Sequence, residues 1–227
     1  EQERRGAVHY RFSHAFFRQT LYEELSAPRR IRMHQQVARA LESQHAVRLE
    51  VGLFDGILLD LGVSSHEFDT PERGMSFLHD GPLDMRFSRG QDITAAALVN
   101  SWPEKELEKL FRELGEERFS VSIAKAIIEA RRWKKFSGTL ELADCVRAAV
   151  PPSARHGRLH PATRVFQALR LAVNDELGNL KSVLPELVSL LAPKGRVAVI
   201  SFHSLEDRLV KRFFAEQARI GELSLIV

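Results

Sequence analysis

Phe54-Asp55-Gly56-Ile57-Leu58-Leu59-Asp60-Leu61-Gly62-Val63-Ser64-Ser65 holds a short apolar run, Ile57-Leu58-Leu59, between Gly56 and the pair Asp60 and Gly62. A run of this length flanked by glycines predicts a strand buried on both faces, as in a parallel sheet. Asp60 then falls at the carboxyl end of the strand, where the loops of an open α/β sheet diverge and leave a ligand crevice. Ser64 and Ser65 add hydroxyls just beyond it. Taken alone, the segment fits equally well an ordinary buried strand closed by an Asp cap and a serine turn.

Working outward, the same grammar returns near the C-terminus. Asn174 to Leu191 predicts an amphipathic helix with Leu177, Leu180, Val183, Leu184, Leu187 and Leu190 as its apolar stripe. Pro193-Lys194-Gly195 ends it, Arg196 to Phe202 reads as a second buried strand, and His203-Ser204-Leu205-Glu206-Asp207 opens a helix through Phe214. Leu223 to Val227 offers a weaker third strand. Strand, helix, strand and helix in this order predict a doubly wound α/β sheet.

Between the two strands the chain changes character. Residues 66–90 are rich in turn formers, with Pro71, Gly74, Gly81 and Pro82 breaking any regular element. Met75, Phe77, Leu83, Met85 and Phe87 make this a packed loop. Four helices are then predicted: one capped by Thr94 through Val99, one from Glu104 to Leu114 stopping at Gly115, one from Phe119 to Arg132, and one capped by Thr139 through Val150. Residues 91–170 thus read as an all-helical domain inserted between two halves of an α/β core, residues 51–90 and 171–227. Residues 131–170 hold nine Lys or Arg against two acids, Glu141 and Asp144. Such a stretch suits a phosphate backbone, and Trp133, Phe136 and His156 are placed to stack on unpaired bases. A solvated helix surface is the plainer account of the same charges.

Residues 1–50 read as two helices, with apolar positions Phe16, Phe17, Leu21 and Leu25 on the first and Ile31, Val37, Ala38 and Leu41 on the second. His9, His14, His34 and His45 lack the spacing of paired metal ligands, so no metal is expected. The composition, 28% charged and 44% apolar, is that of a soluble globular protein. No run of 18 apolar residues predicts a membrane helix, and the N-terminus has no apolar signal core. The single cysteine, Cys145, excludes an internal disulfide and fits a reducing cytoplasm.

Asp55-Gly-Ile-Leu-Leu-Asp-Leu-Gly-Val-Ser-Ser65, Pro71-Glu-Arg-Gly74, His79-Asp-Gly-Pro-Leu-Asp-Met-Arg86, Gly115-Glu-Glu-Arg-Phe119, His160-Pro-Ala-Thr-Arg164, Phe166-Gln-Ala-Leu-Arg170, Val173-Asn-Asp-Glu-Leu177 and Ile200-Ser-Phe-His-Ser-Leu-Glu-Asp-Arg208 stand in this order. Together, over residues 52–215, they resemble the ribosomal small-subunit (16S) RNA cytosine-N4 methyltransferase family, methyltransferase H. Tyr10 to Leu25, followed by Arg29-Arg30 and His34, resembles a helical segment of adenylate cyclase and LuxR-type regulator ATPases. The first resemblance implies a Rossmann-like sheet, S-adenosylmethionine as methyl donor, a 16S RNA cytosine as acceptor and a cytoplasmic protein. It implies Asp60 as the residue nearest donor and amine. The family places a donor contact seven residues further on, usually Gln, where this chain has Glu67. Family members also carry a glycine-rich donor-binding turn, and no G-x-G occurs here, so the expected sheet is partial.

From position alone, Ser201 and His203 join Asp60 as candidate catalytic residues at the end of the second strand, with Phe202 and Ser204 beside them. Arg131, Arg132, Lys134, Lys135, Arg155, Arg158, Arg164 and Arg170 are the candidate RNA contacts. Arg164 and Arg170 serve equally well as partners of Asp84 or Glu176. Three functions stay open: a working rRNA methyltransferase, a non-catalytic RNA-binding module, and a helical interaction protein of the regulator class. Oligomeric state is left open as well.

Overall fold

In chain order the elements are β1 (Phe54–Asp60), α1 (Ala95–Ser101), α2 (Glu104–Glu113), α3 (Ser120–Ala130), α4 (Thr139–Ala149), α5 (Ala162–Asn174), α6 (Glu176–Ser189), β2 (Leu191–Ile200) and α7 (Ser204–Arg219). Short 3-10 turns occupy Pro71–Arg73 and Pro152–Ala154. The computed structural model describes residues 53–63, 68–155, 157 and 159–225. The predicted helices and histidines of residues 1–50, together with Ser64, Ser65, Glu67, His156 and Arg158, lie outside the described residues. The fold is mixed α/β.

β1 and β2 run parallel, the two strands of one sheet among the described residues. Gly56 pairs with Arg196, Leu58 with Ala198 and Asp60 with Ile200. The alternation of a strand sends Leu59 and Val199 toward α6 and α7, where they pack with Leu61, Leu187, Leu209, Phe213 and Phe214 around Leu180, Leu184 and Val210. On the other face, no described helix packs against the strands. Leu58 is 63% exposed, so the expectation of a strand buried on both faces does not hold: among the described residues, helices cover one side only.

Further boundaries differ from the sequence expectation. The helix predicted over Asn174 to Leu191 is present as α6, Glu176–Ser189, and its start is set by Asp175, whose left-handed backbone (φ 46) separates it from α5. α5 itself was hidden within the basic stretch. β2 begins at Leu191, before Pro193-Lys194-Gly195, and these residues form an irregularity that shifts the register between Phe54 and Gly56. It also ends at Ile200, leaving Ser201 and Phe202 in the turn that follows. α7 continues five residues past Phe214, to Arg219. Thr139 is the first helical residue of α4, with Gly138 at the cap. Residues 223–225 form no strand, and 226–227 lie outside the described residues.

The larger core belongs to the helices. α5 packs against α1, α2 and α4 and buries Val165, Phe166, Ala168, Leu169, Leu171 and Val173. Phe111, Ile123, Ile127, Leu142 and Val146 meet it from the surrounding helices. A fully buried side chain of this kind contributes about 1.5–3 kcal/mol, so this layer, not the small sheet, supplies most of the apolar stabilisation. Phe136 is part of this core at 4% exposure, which removes it as a base-stacking residue.

The loop at 71–87 is packed, as its apolar content predicts: Met75, Leu83 and Met85 are buried, while Phe87 is exposed. Its two glycine-bearing turns interlock. A side chain on Gly74 (φ 65) would collide with the Pro82 carbonyl, and one on Gly81 with the Pro71 carbonyl. The loop also closes two helix ends. The Asp84 and Leu83 carbonyls accept from Ala95 and Ala96 of α1, and Asp80 accepts from Leu140 of α4.

Candidate active site

Parallel pairing places the carboxyl ends of β1 and β2 side by side. Asp60 stands opposite Ile200, and the Leu61 amide donates to the Ile200 carbonyl at 3.0 Å. The next residues on each strand therefore share one rim: Gly62 on one side, Ser201, Phe202 and His203 on the other. The Phe202 ring lies against Gly62, 3.2 Å from where a β-carbon would sit. Gly62 has φ 94, a backbone that favours glycine, and its missing side chain admits the ring. Asp60 is exposed, and Phe202 is 53% exposed. The rim thus presents a carboxylate and an aromatic face to solvent.

His203 and Glu206 hold that rim in place. His203 caps α7, its Nδ1 accepting from the Glu206 amide, while the Glu206 carboxylate accepts from the Phe202 amide at 3.1 Å. This arrangement satisfies one of the free donors at the helix start, the Glu206 amide, and also the amide of the residue just before the cap. Because Nδ1 accepts, a neutral His203 carries its proton on Nε2, which lies 3.2 Å from Glu206 Oε1 in a geometry that forms no hydrogen bond. Burial pushes the Glu206 carboxyl up, but the His203 ring beside it and the bond from the Phe202 amide outweigh it and hold the group below the usual range.

Behind this cap lies a buried ion pair. Arg170 of α5 donates from Nε and Nη2 to the two carboxylate oxygens of Glu176 at 2.8 and 3.2 Å. Of the alternatives for Arg170, the structure takes the partner Glu176. Burial raises the Glu176 pKa against the pull of Arg170, and the negative charge of Glu206 adds to the rise. The Arg170 guanidinium also sits over the Phe68 ring, 5.7 Å from its centre. Asn174, four residues on, is buried: its amide donates to the Met85 and Arg170 carbonyls and accepts from the Phe87 amide. That one side chain ties the 71–87 loop to the end of α5.

A second link reaches α7 from the helical layer. Glu116 accepts from the Ser204 hydroxyl and, at 2.7 Å, from Arg208. These bonds, Ser204 first, hold its carboxyl below the usual range. Arg164 donates to the Glu116 carbonyl at 2.9 Å, so it has neither Asp84 nor Glu176 as its partner here. Asp84 pairs with Arg86 instead, at 2.7 Å.

The other described sequence candidates lie away from this rim in sequence. Arg131 donates to the Val99 carbonyl, Arg155 to the Val150 and Ala148 carbonyls, and Lys134 pairs with Glu141. Arg132 and Lys135 are exposed. Glu116 and Glu206 were given no role from sequence. Glu206 had a readable signal, an acid three residues after a capping position. Glu116 had none, since only the fold brings it to α7. No group of three metal-ligating side chains is assembled among the described residues, and no helix among them is long and apolar enough to cross a membrane.

The family model for the MraW methylase family matches residues 17–224. The chain belongs to the MraW methylase family. Its family relatives include the ribosomal RNA small subunit methyltransferase H of Symbiobacterium thermophilum, 53% identical over 174 residues, which cover 77% of this chain and 55% of that protein. The protein of the same name from Heliobacterium modesticaldum is 54% identical over 77% of this chain and 56% of its own length. That from a Nostoc species is 55% identical over 70% and 51%. The chain spans about half the length of these curated relatives. The MraW family match begins upstream of β1 and so takes in part of the segment that resembles the regulator ATPases.

Proposed function

We propose that this chain carries the acceptor side of an S-adenosylmethionine-dependent methyltransferase acting on the N4 amine of a cytosine in 16S ribosomal RNA. The observation that supports it most is the rim itself: a carboxylate, Asp60, and an aromatic face, Phe202, brought together at the carboxyl ends of two parallel strands. The donor set suits the reactive end of the cofactor, because a carboxylate complements a sulfonium. Asp60, and Glu67 by family position, would hold that end. No G-x-G occurs in the sequence, so no residue is assigned to the adenosine end.

When bound, the donor supplies an electrophilic methyl group. The acceptor amine is a weak nucleophile because its lone pair is shared with the cytosine ring. Asp60 accepts a hydrogen bond from that amine, raising electron density on nitrogen, and takes the proton that leaves on methylation. Phe202 stacks on the base once it leaves its own stack. Ser201 and His203 border the same space, with His203 fixed by its bond to Glu206. Exposed Arg132, Lys134 and Lys135 contact the RNA backbone, with Arg131, Arg155, Arg158 and Arg164 along the same stretch. In this reading the helices between β1 and α6 form an inserted RNA-binding layer.

Calorimetric titration with S-adenosylmethionine to millimolar concentration tests the reading. Binding that weakens in Asp60→Asn supports it. Absence of binding by the wild-type chain leaves an RNA-binding module without catalysis, the reading favoured by the basic turn at 131–135.

A further inference from the structure

Trp133 is 92% exposed, the barest large apolar side chain among the described residues. It stands on the turn that follows α3, and both ends of that turn are fixed to α1. At one end Arg131 donates to the Val99 carbonyl at 2.7 Å. At the other, the Asn100 amide makes both backbone bonds of Phe136, 2.8 and 2.9 Å, and the Phe136 ring is buried. Within the turn the Arg132 and Trp133 amides bond to the Glu129 and Ala130 carbonyls. The indole is held out by a pinned backbone, not carried on a loose one.

Its neighbours define the ligand. Arg132, Lys134 and Lys135 flank it in sequence and are exposed; Lys134 is engaged by Glu141 at 3.0 Å. A protein-docking aromatic is set in a ring of contacts that exclude water, whereas an aromatic face among cations is what an unpaired nucleic acid strand uses. Glu129 lines a shallow groove with Arg132 and Trp133. Its carboxylate repels phosphate and accepts from exocyclic amines, so the base edge faces Glu129 and the backbone faces the cations. We infer that Trp133 is a stacking platform for an unpaired RNA base, with Arg132 and Lys135 on the adjoining phosphates. This rests on the RNA-directed reading above, and gives it a defined contact remote in sequence from Asp60.

The test is fluorescence anisotropy with labelled 12-nucleotide oligocytidylate and oligouridylate, with no methyl donor present. Trp133 makes no core contact, so its variants keep the fold, which circular dichroism verifies. Trp133→Ala is expected to weaken binding about 5- to 100-fold and Trp133→Phe far less, because a phenyl ring still stacks. Arg132→Gln and Lys135→Gln should each flatten the salt dependence, which Trp133→Ala leaves unchanged. In a Trp102→Phe background, indole emission should be quenched as RNA binds. Equal affinity of wild type and Trp133→Ala, no binding of either oligonucleotide, or binding without quenching overturns the inference. Because donor is absent, a chain that binds RNA through Trp133 and transfers no methyl group refutes only the catalytic reading. A working methyltransferase indifferent to Trp133 refutes only this one.

Discussion

Arg170 and Glu176 face each other across the left-handed break at Asp175, joined by two parallel N–H···O bonds of 2.8 and 3.2 Å. Both side chains are about nine-tenths buried. Burial raises the Glu176 pKa despite the guanidinium beside it, so desolvation exceeds the Coulombic return. A raised carboxyl pKa means that this group's contribution to stability falls as pH rises from its unfolded value through its folded one. The pair serves geometry: it fixes the end of α5 against the start of α6, behind the His203–Glu206 cap.

Removing one partner should therefore cost far more than removing both. Arg170→Met leaves a buried carboxylate alone and is expected to lose about 3–5 kcal/mol in denaturant unfolding. The double variant Arg170→Met/Glu176→Leu should recover most of that loss. A double variant as unstable as the single one would show that the pair stabilises outright.

Glu116 gives a prediction with a pH sign. Its folded pKa lies below the usual 4.5, so its bonds to Ser204 and Arg208 stabilise the fold above that value and are lost as pH falls through the folded pKa. The pair is exposed, which limits the gain to about 1 kcal/mol or less. Melting curves of wild type and Glu116→Gln should separate at neutral pH and converge in acid. A constant offset at every pH would contradict the assignment.

The interlocked turns at Gly74 and Gly81 leave no room for a methyl group. Gly74→Ala and Gly81→Ala are each expected to cost about 1–3 kcal/mol, as overpacking does. Because the loop closes the N-termini of α1 and α4, hydrogen exchange should rise at Ala95, Ala96 and Leu140. Unchanged exchange there would separate the loop from the helix ends.

Glu206→Ala removes the acceptor of the Phe202 amide. The expected loss is about 1–3 kcal/mol, the cost of leaving such a donor unsatisfied, with faster exchange of the Phe202 amide itself. Glu206→Gln keeps an acceptor and should restore most of the protection.

Much of this was legible before the structure. β1, α1, α2, α3 and the start of α7 follow from apolar spacing, proline and capping positions, and Asp60 falls at the carboxyl end of the strand that the run Ile57-Leu58-Leu59 predicts. What escaped has physical causes. α5 escaped because Arg164 and Arg170 give its sequence the basic character of the residues before it, while the apolar residues between them form the centre of the helical core. The break at Asp175 depends on one residue adopting a left-handed backbone, which periodicity does not report. The exposure of Leu58 on β1 depends on which elements cover the sheet, a property of the assembly and not of the strand. Glu116 reaches Ser204 and Arg208 across roughly ninety residues of sequence, and no local pattern announces it.

The central claim, methyl transfer at the Asp60 rim, is tested most directly with radiolabelled S-adenosylmethionine and small-subunit rRNA, followed by mapping of the labelled base. The account predicts label on a cytosine N4 for the wild-type chain and at least about a 100-fold loss for Asp60→Asn, in the range for removing a general base. No label at saturating donor, or equal labelling by Asp60→Asn, would contradict it.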